Sequence, residues 1–219
     1  MKKQIVIILS LTLFSIAAIS QNSGDMREDT TATISSLQSR WAIANYELKG
    51  DKQLKAFEQL ISDVEAATNE QVNEAGIWVW SGIIKSTFAG VKGGLGALKF
   101  ANAAKVDLDQ AISIDGNVLQ GSAYTSLGTL YYQVPGWPIG FGDGDKAEGL
   151  LKKAIAINPD GIDSNYFYAQ YLLSEKHYSK AEQHLLIAQN AAPRLQRPLA
   201  DKGRQAEIAV LLAEARKNQ

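Results

Sequence analysis

The side chains able to do acid–base, nucleophilic or metal chemistry are few here, and their spacing does not serve it. His177 and His184 are the only imidazoles, seven residues apart, and no third ligand stands at zinc-motif spacing. They read as solvated or capping groups. No serine or threonine sits in G-x-S-x-G, and Gly121-Ser122 reads as the start of a helix. Asp143 and Asp145 lack the twelve-residue ligand spacing of a calcium loop, so helix capping is their expected role, with Asp145 and Glu148 in a D-x-x-E arrangement. The segment AGVKGGLGALKF carries neither phosphate-loop pattern and follows no predicted strand. It reads as a helix connection, with Lys92 and Lys99 as its only anion candidates. With no cysteine there are no thiolate sites and no disulfides, and the lipid-anchored form of the N-terminal signal is excluded. No catalytic residue, no metal ligand and no cofactor are therefore expected.

Binding chemistry is better represented. The insert from Val134 to Gly144 holds two prolines, four glycines, Trp137 and Phe141, which makes a stiff loop with two large apolar side chains. Trp137 and Phe141 are read either as lids or plugs between helical units or as contacts to an extended ligand. Tyr166, Phe167, Tyr168, Tyr171 and Tyr178 make a second aromatic cluster. Within it Tyr168 and Tyr171 take core positions, and Tyr166 is the sharper binding candidate.

The elements that must position these groups are helices. Leu37, Trp41, Ala44 and Leu48, then Leu54, Phe57, Leu60, Ile61 and Val64, recur at helical spacing around a Gly50-Asp51 turn. Further on, Ala147, Leu151, Ala154 and Pro159 recur at Ala181, Leu185, Ala188 and Pro193, 34 residues later. Ala104, Leu108, Ala111 and Gly116 stand 43 residues before the same set, the same repeat lengthened mostly by PGWPIGFGD. Small residues are needed where paired helices cross, here Gly128 and Ala169 against Ala147 and Ala181. Pro159 and Pro193 end the second helices because proline cannot continue the ladder. Pro198 to Lys217 reads as a last amphipathic helix, with Arg204 on its polar side.

With Tyr124, Leu127, Gly128 and Tyr131 in the order aromatic-x-x-Leu-Gly-x-x-Tyr ahead of the Ala, Leu, Ala, Pro set, the chain resembles the tetratricopeptide repeat superfamily. The resemblance implies an all-α solenoid of about four helical hairpins, closed by a C-terminal capping helix. The hairpins are expected at about 34–66, 72–116, 118–159 and 161–193, with the cap at 198–217. It also implies a non-enzymatic protein-interaction scaffold that holds a protein or peptide partner in the concave groove of its first helices. Carried over position by position, the groove residues are Ser122, Thr125, Thr129 and Tyr132, then Tyr166, Gln170 and Leu173, with either Trp78 or Trp80 from the second unit. A secreted helical chain with such an insert is also similar to the T component of TRAP-type transporters. That similarity implies a small-molecule or lipid-binding accessory, partnered with a periplasmic solute-binding protein, in which Trp78, Trp80, Trp137 and Phe141 enclose an apolar cavity. An enzyme of unknown type is the third reading.

Residues 1–20 read as a secretory signal: Lys2 and Lys3, an apolar run from Ile5 to Ile19, and Ala18-Ile19-Ser20 as a cleavage site. Periplasmic export without a stable membrane anchor after cleavage is expected. Residues 21–33 are expected to be a flexible lead-in, and 34–219 a single repeat domain. Cleavage after Ser20 takes away two lysines and no acid, so 20 basic and 23 acidic residues remain, a net charge of −3. That balance gives no electrostatic case for nucleic acid.

Overall fold

The computed structural model describes residues 14–219. Most of the expected signal segment thus lies outside the described residues. Nine helices run through the described part: α1 (Phe14–Tyr46), α2 (Gly50–Glu70), α3 (Ala75–Lys92), α4 (Gly94–Asp115), α5 (Val118–Gln133), α6 (Gly144–Ile157), α7 (Ile162–Ser174), α8 (Tyr178–Gln189) and α9 (Pro198–Lys217). Short connections pair them as α1/α2, α3/α4, α5/α6 and α7/α8, and α9 closes the array.

The Ala-Leu-Ala rows are the spine of the stack. Ala104, Leu108 and Ala111 on α4, Ala147, Leu151 and Ala154 on α6, and Ala181, Leu185 and Ala188 on α8 are all fully buried. Alanine lets the paired helices approach, and the leucine fills the space between them. On α5 the partner is Gly128, where a Cβ would lie 2.8 Å from Leu151 Cγ and 3.2 Å from the Ala147 carbonyl oxygen. Gly82 does the same on α3, against Leu108 Cγ at 2.4 Å and the Ala104 carbonyl at 3.2 Å. Both crossings therefore admit hydrogen and nothing larger.

Four sequence expectations are revised. The lead-in expected over 21–33 belongs to α1, whose Thr30 is buried and donates to Gln71 Oε1 at 2.6 Å. Its polar composition suggests no core, but α1 needs only one face against α2 and α3. Asp143, not Asp145, caps α6, accepting from the Lys146 amide at 3.0 Å. His184 is half-buried rather than solvated, edge-on to Tyr168 at 4.8 Å. Arg204 is buried, although the pattern of α9 places it on the polar side. Asp163 on α7 and Glu207 one turn along α9 neutralise it, and no periodicity within α9 could show the first of these.

A buried ion pair also escaped the sequence reading. Lys85 on α3 meets Asp107 on α4 at 2.8 Å, and Ser81 donates to the same carboxylate oxygen at 2.6 Å. The pair ties the second hairpin together inside its apolar core.

α9 decides the shape of the concave side. It lies on α8 and also reaches α7 and α1, so the last helix touches the first. A Cβ at Gly203 would lie 2.4 Å from the Tyr46 ring, which shows how closely α9 and α1 meet.

Candidate functional site

The first helices of the hairpins, α1, α3, α5 and α7, wall a cavity of about 1310 Å³, closed on one side by α9 and the turn before it. Its floor is aromatic. Trp41 stands edge-on to Trp80 at 5.9 Å and to Tyr46 at 5.8 Å. Trp41 is fixed by its indole N–H, which donates to Thr87 Oγ1 at 3.0 Å.

The walls carry hydroxyls and amides. Thr129 donates to the Thr125 carbonyl at 2.8 Å, Ser122 to Leu119 at 2.6 Å, and Ser86 to Ile83 at 3.0 Å. Each hydroxyl has thus used its proton within its own helix and keeps lone pairs to accept from a ligand. A relay crosses from α5 to α7: Gln133 donates to Tyr132 Oη at 3.2 Å, Tyr132 donates to Gln170 Oε1 at 2.9 Å, and Gln170 donates to Tyr166 Oη at 3.0 Å. Tyr166 ends the relay at the cavity wall with its own proton left to donate. Burial pushes the Tyr166 and Tyr46 phenols up to about 12, so both remain neutral hydroxyls.

Where α7 meets α9, three arginines face the cavity. Arg194 and Arg204 both grip Asp163, Arg194 also binds Asp201, and Arg204 also binds Glu207. Arg204 further lies over Tyr166 at 4.1 Å and Phe167 at 4.6 Å. Burial alone would raise the Asp163 carboxyl, but Arg204, Arg194 and Arg197 outweigh it and hold the group well below the usual carboxylate range. The third cation, Arg197, lies over the Trp80 ring at 5.2 Å. At the opposite lip, Leu119, Gln120 and Gly121 take left-handed backbone at φ 48, 57 and 74°. Such conformations are costly for the leucine and glutamine. This turn aims Ser122 and the rest of α5 into the cavity, and Asn158 donates to Gln120 Oε1 at 3.0 Å to hold it.

Of the residues singled out in the sequence, Trp80, Ser122, Thr125, Thr129, Tyr166 and Gln170 line the cavity. Tyr132 stands one layer behind, joined through Gln170 and packed edge-on against Tyr171. Trp78 points away: it packs with the core between α3, α4 and α5, and its N–H donates to the Val72 carbonyl at 2.8 Å. That settles the one-residue ambiguity in favour of Trp80. Leu173 packs into the core of the last hairpin.

The insert does not cover the groove. Phe141 packs edge-on against Tyr131 at 5.4 Å, in the core shared by α3, α4 and α5, while Trp137 is 90% exposed. The apolar chamber expected among Trp78, Trp80, Trp137 and Phe141 is therefore not formed, since only Trp80 reaches the cavity. Lys92 lies over the Phe88 and Phe100 rings at 5.4 and 5.8 Å, engaged with aromatic faces beside its glycine turn. Sequence reasoning missed the arginine cluster and the α1 contribution of Gln38, Trp41, Asn45 and Tyr46. Residues brought together from opposite ends of the chain leave no local pattern to read. Among the described residues no group of histidines and acids is arranged to hold a metal ion.

Residues 139–197 match the tetratricopeptide repeat family profile. A solved structure described as a thermophilic TPR protein of Thermus thermophilus superposes with a TM-score of 0.52 at 16% identity, over 73% of this chain and 90% of that one. The fold is that of the tetratricopeptide repeat proteins. No curated protein sequence matches the chain. The profile falls on the end of the insert, α6, α7 and α8, where the 34-residue period is cleanest, and the first two hairpins lie outside it. Among the described residues no helix is long and apolar enough to cross a membrane.

Proposed function

We propose that this tetratricopeptide array is exported to the periplasm and acts as a non-enzymatic scaffold that holds a protein or peptide partner in its concave groove. The observation that carries the reading is the groove wall. Hydroxyls on α3 and α5 have spent their protons on their own helices and offer a row of acceptors above an aromatic floor. Backbone N–H groups of an extended segment suit such a row, and apolar side chains suit the floor. The N-terminal Lys2, Lys3 and apolar run support export. Ser126, half-buried on the groove wall of α5, is the place to fill the cavity. The Ser126→Trp protein is expected to lose a partner that wild type retains from periplasmic extract, while Val106→Glu on exposed α4 keeps it. Equal retention by both variants would refute groove binding.

A further inference from the structure

The insert carries two side chains that the fold does not use. Trp137 is 90% exposed and Ile139 69% exposed, two residues apart at the tip of one loop. A single exposed apolar side chain is ordinary, but a tryptophan and an isoleucine held together on a stiff tip are not. The base of the loop makes it stiff. Phe141 packs against Tyr131 at 5.4 Å, the Asp143 amide donates to the Tyr131 carbonyl at 2.8 Å, and the Gly142 amide donates to the Pro135 carbonyl at 3.0 Å. Trp137 and Ile139 are thus presented in place, with little order left to impose on binding. The loop also satisfies much of its own backbone: the Ile139 and Gly140 amides donate to the Gly136 carbonyl at 3.1 and 3.2 Å, and Pro135 and Pro138 have no N–H. Such a segment offers few amides to an added strand and takes little unsatisfied backbone into an apolar phase.

The rim of the tip is basic, in a chain whose net charge is −1. A Cβ at Gly140 would lie 3.3 Å from Leu98 Cδ1, which sets the α3–α4 turn, with Lys92 and Lys99, beside the loop. Both lysines are exposed, lie near the Phe100 ring at 5.8 and 6.0 Å, and have no acidic partner among the described residues. Under the loop, Lys105 and Lys146 stand by the Tyr131 ring at 5.9 and 5.6 Å and pair with Asp109 and Asp143 at 2.7 and 3.4 Å. Asp145, exposed in the first turn of α6, offsets one further charge. Four lysines therefore stand against three acids, and the two lysines without acids are those on the turn next to the tip.

We infer that the Trp137–Ile139 tip docks this protein reversibly on an anionic lipid bilayer, with both side chains in the interfacial layer and Lys92 and Lys99 on the headgroup phosphates. Tryptophan favours that layer, and lysines beside it add attraction to anionic lipid. A stable protein interface needs about 800 Å² from each partner, whereas a tryptophan supplies only about 150–250 Å². The tip is too small for the first and suits a shallow lipid contact. The insert does not cover the groove, so a docked molecule keeps its groove open. The inference rests neither on groove binding nor on export.

The chain has no cysteine, so a full-length Ile139→Cys protein carrying an environment-sensitive NBD label reports on the tip alone. Val106→Cys, labelled in the same way, reports on exposed α4. Vesicles of phosphatidylcholine, alone or with roughly one-third phosphatidylglycerol, are titrated into each. The mixed vesicles are expected to brighten the label at 139 about threefold and to leave the label at 106 unchanged. Attachment through the apolar run from Ile5 to Ile19 would not single out position 139. Adding Trp137→Ala to the labelled protein is expected to raise the lipid concentration for half the change about tenfold, and Lys92→Gln with Lys99→Gln to do the same. Trp137→Ala should melt as its parent does; a clear fall in melting temperature would make the tryptophan structural and overturn the proposal. No brightening at 139, equal brightening at 139 and 106, equal response to both kinds of vesicle, or a response undiminished in either variant overturns it as well. So does a label at 139 that ignores vesicles and responds to lipid-free periplasmic extract, which makes the tip a protein contact.

Discussion

Gly82 and Gly128 stand where a methyl group has no room, so the sign of a substitution there follows from the space. Gly82→Ala and Gly128→Ala are each expected to cost about 1–3 kcal/mol in urea unfolding, as overpacked helix crossings do. Gly149, inside α6 with nothing near its missing Cβ, should gain about 0.5–1 kcal/mol on replacement by alanine. Hydrogen bonding fixes His184 equally clearly. The Asn165 amide nitrogen is committed to the Pro159 and Gly161 carbonyls, so its oxygen accepts from His184 Nδ1 at 2.8 Å and the neutral Nδ1–H tautomer results. Burial lowers the His184 pKa. Its contribution is therefore complete above the unfolded value of about 6.5 and is lost as pH falls through the lower folded value. Urea midpoints measured from pH 7 down to pH 5 should fall in wild type and fall less in His184→Gln. At this scale the alanine and leucine rows were legible because their period is written along the chain. The burial of Arg204 and the Lys85–Asp107 pair were not, because Asp163 and Asp107 reach those cations from other helices.

At the scale of elements, the insert was legible as an interruption but not in its direction. Its glycines, prolines and aromatics say that it is stiff, and say nothing about which side of the stack it leaves. Tyr131 and Asp143 decide that: the Asp143 amide donates to the Tyr131 carbonyl at 2.8 Å, which folds the loop back over the end of α5 and drops Phe141 beside the Tyr131 ring. At Gly142 an added Cβ would lie 1.9 Å from the Val134 carbonyl oxygen, so the fold-back closes only with glycine there. Phe141→Ala is expected to lose about 1.5–3 kcal/mol of stability by thermal or chemical unfolding. Trp137→Ala should stay within about 0.5 kcal/mol of wild type, because that side chain is almost wholly in solvent. Equal losses from the two would mean that the insert is held differently. α9 was legible as a closing helix, but its contact with α1 was not, since the Gly203–Tyr46 approach joins positions more than 150 residues apart.

For the whole molecule, the end-to-end contact turns a row of hairpins into a walled groove. The repeats set the curvature, α9 ties the last hairpin to α1, and the aromatic floor and arginine cluster form where the two ends meet. Most of the groove wall on α5 and α7 could be read from repeat register, and the end built from α1 and α9 required the fold. The most direct measurement of the central claim is site-specific photo-crosslinking in the cell, with a photoreactive amino acid at Gln38, Ser126 or Gln170 in the groove and at Val106 or Ile187 on exposed surfaces. Groove binding is expected to give a discrete adduct from Gln38, Ser126 and Gln170 and none from Val106. Ile187 borders the groove lip and should give at most a weak one. Adducts that form from Val106 and not from the three groove positions would contradict the account.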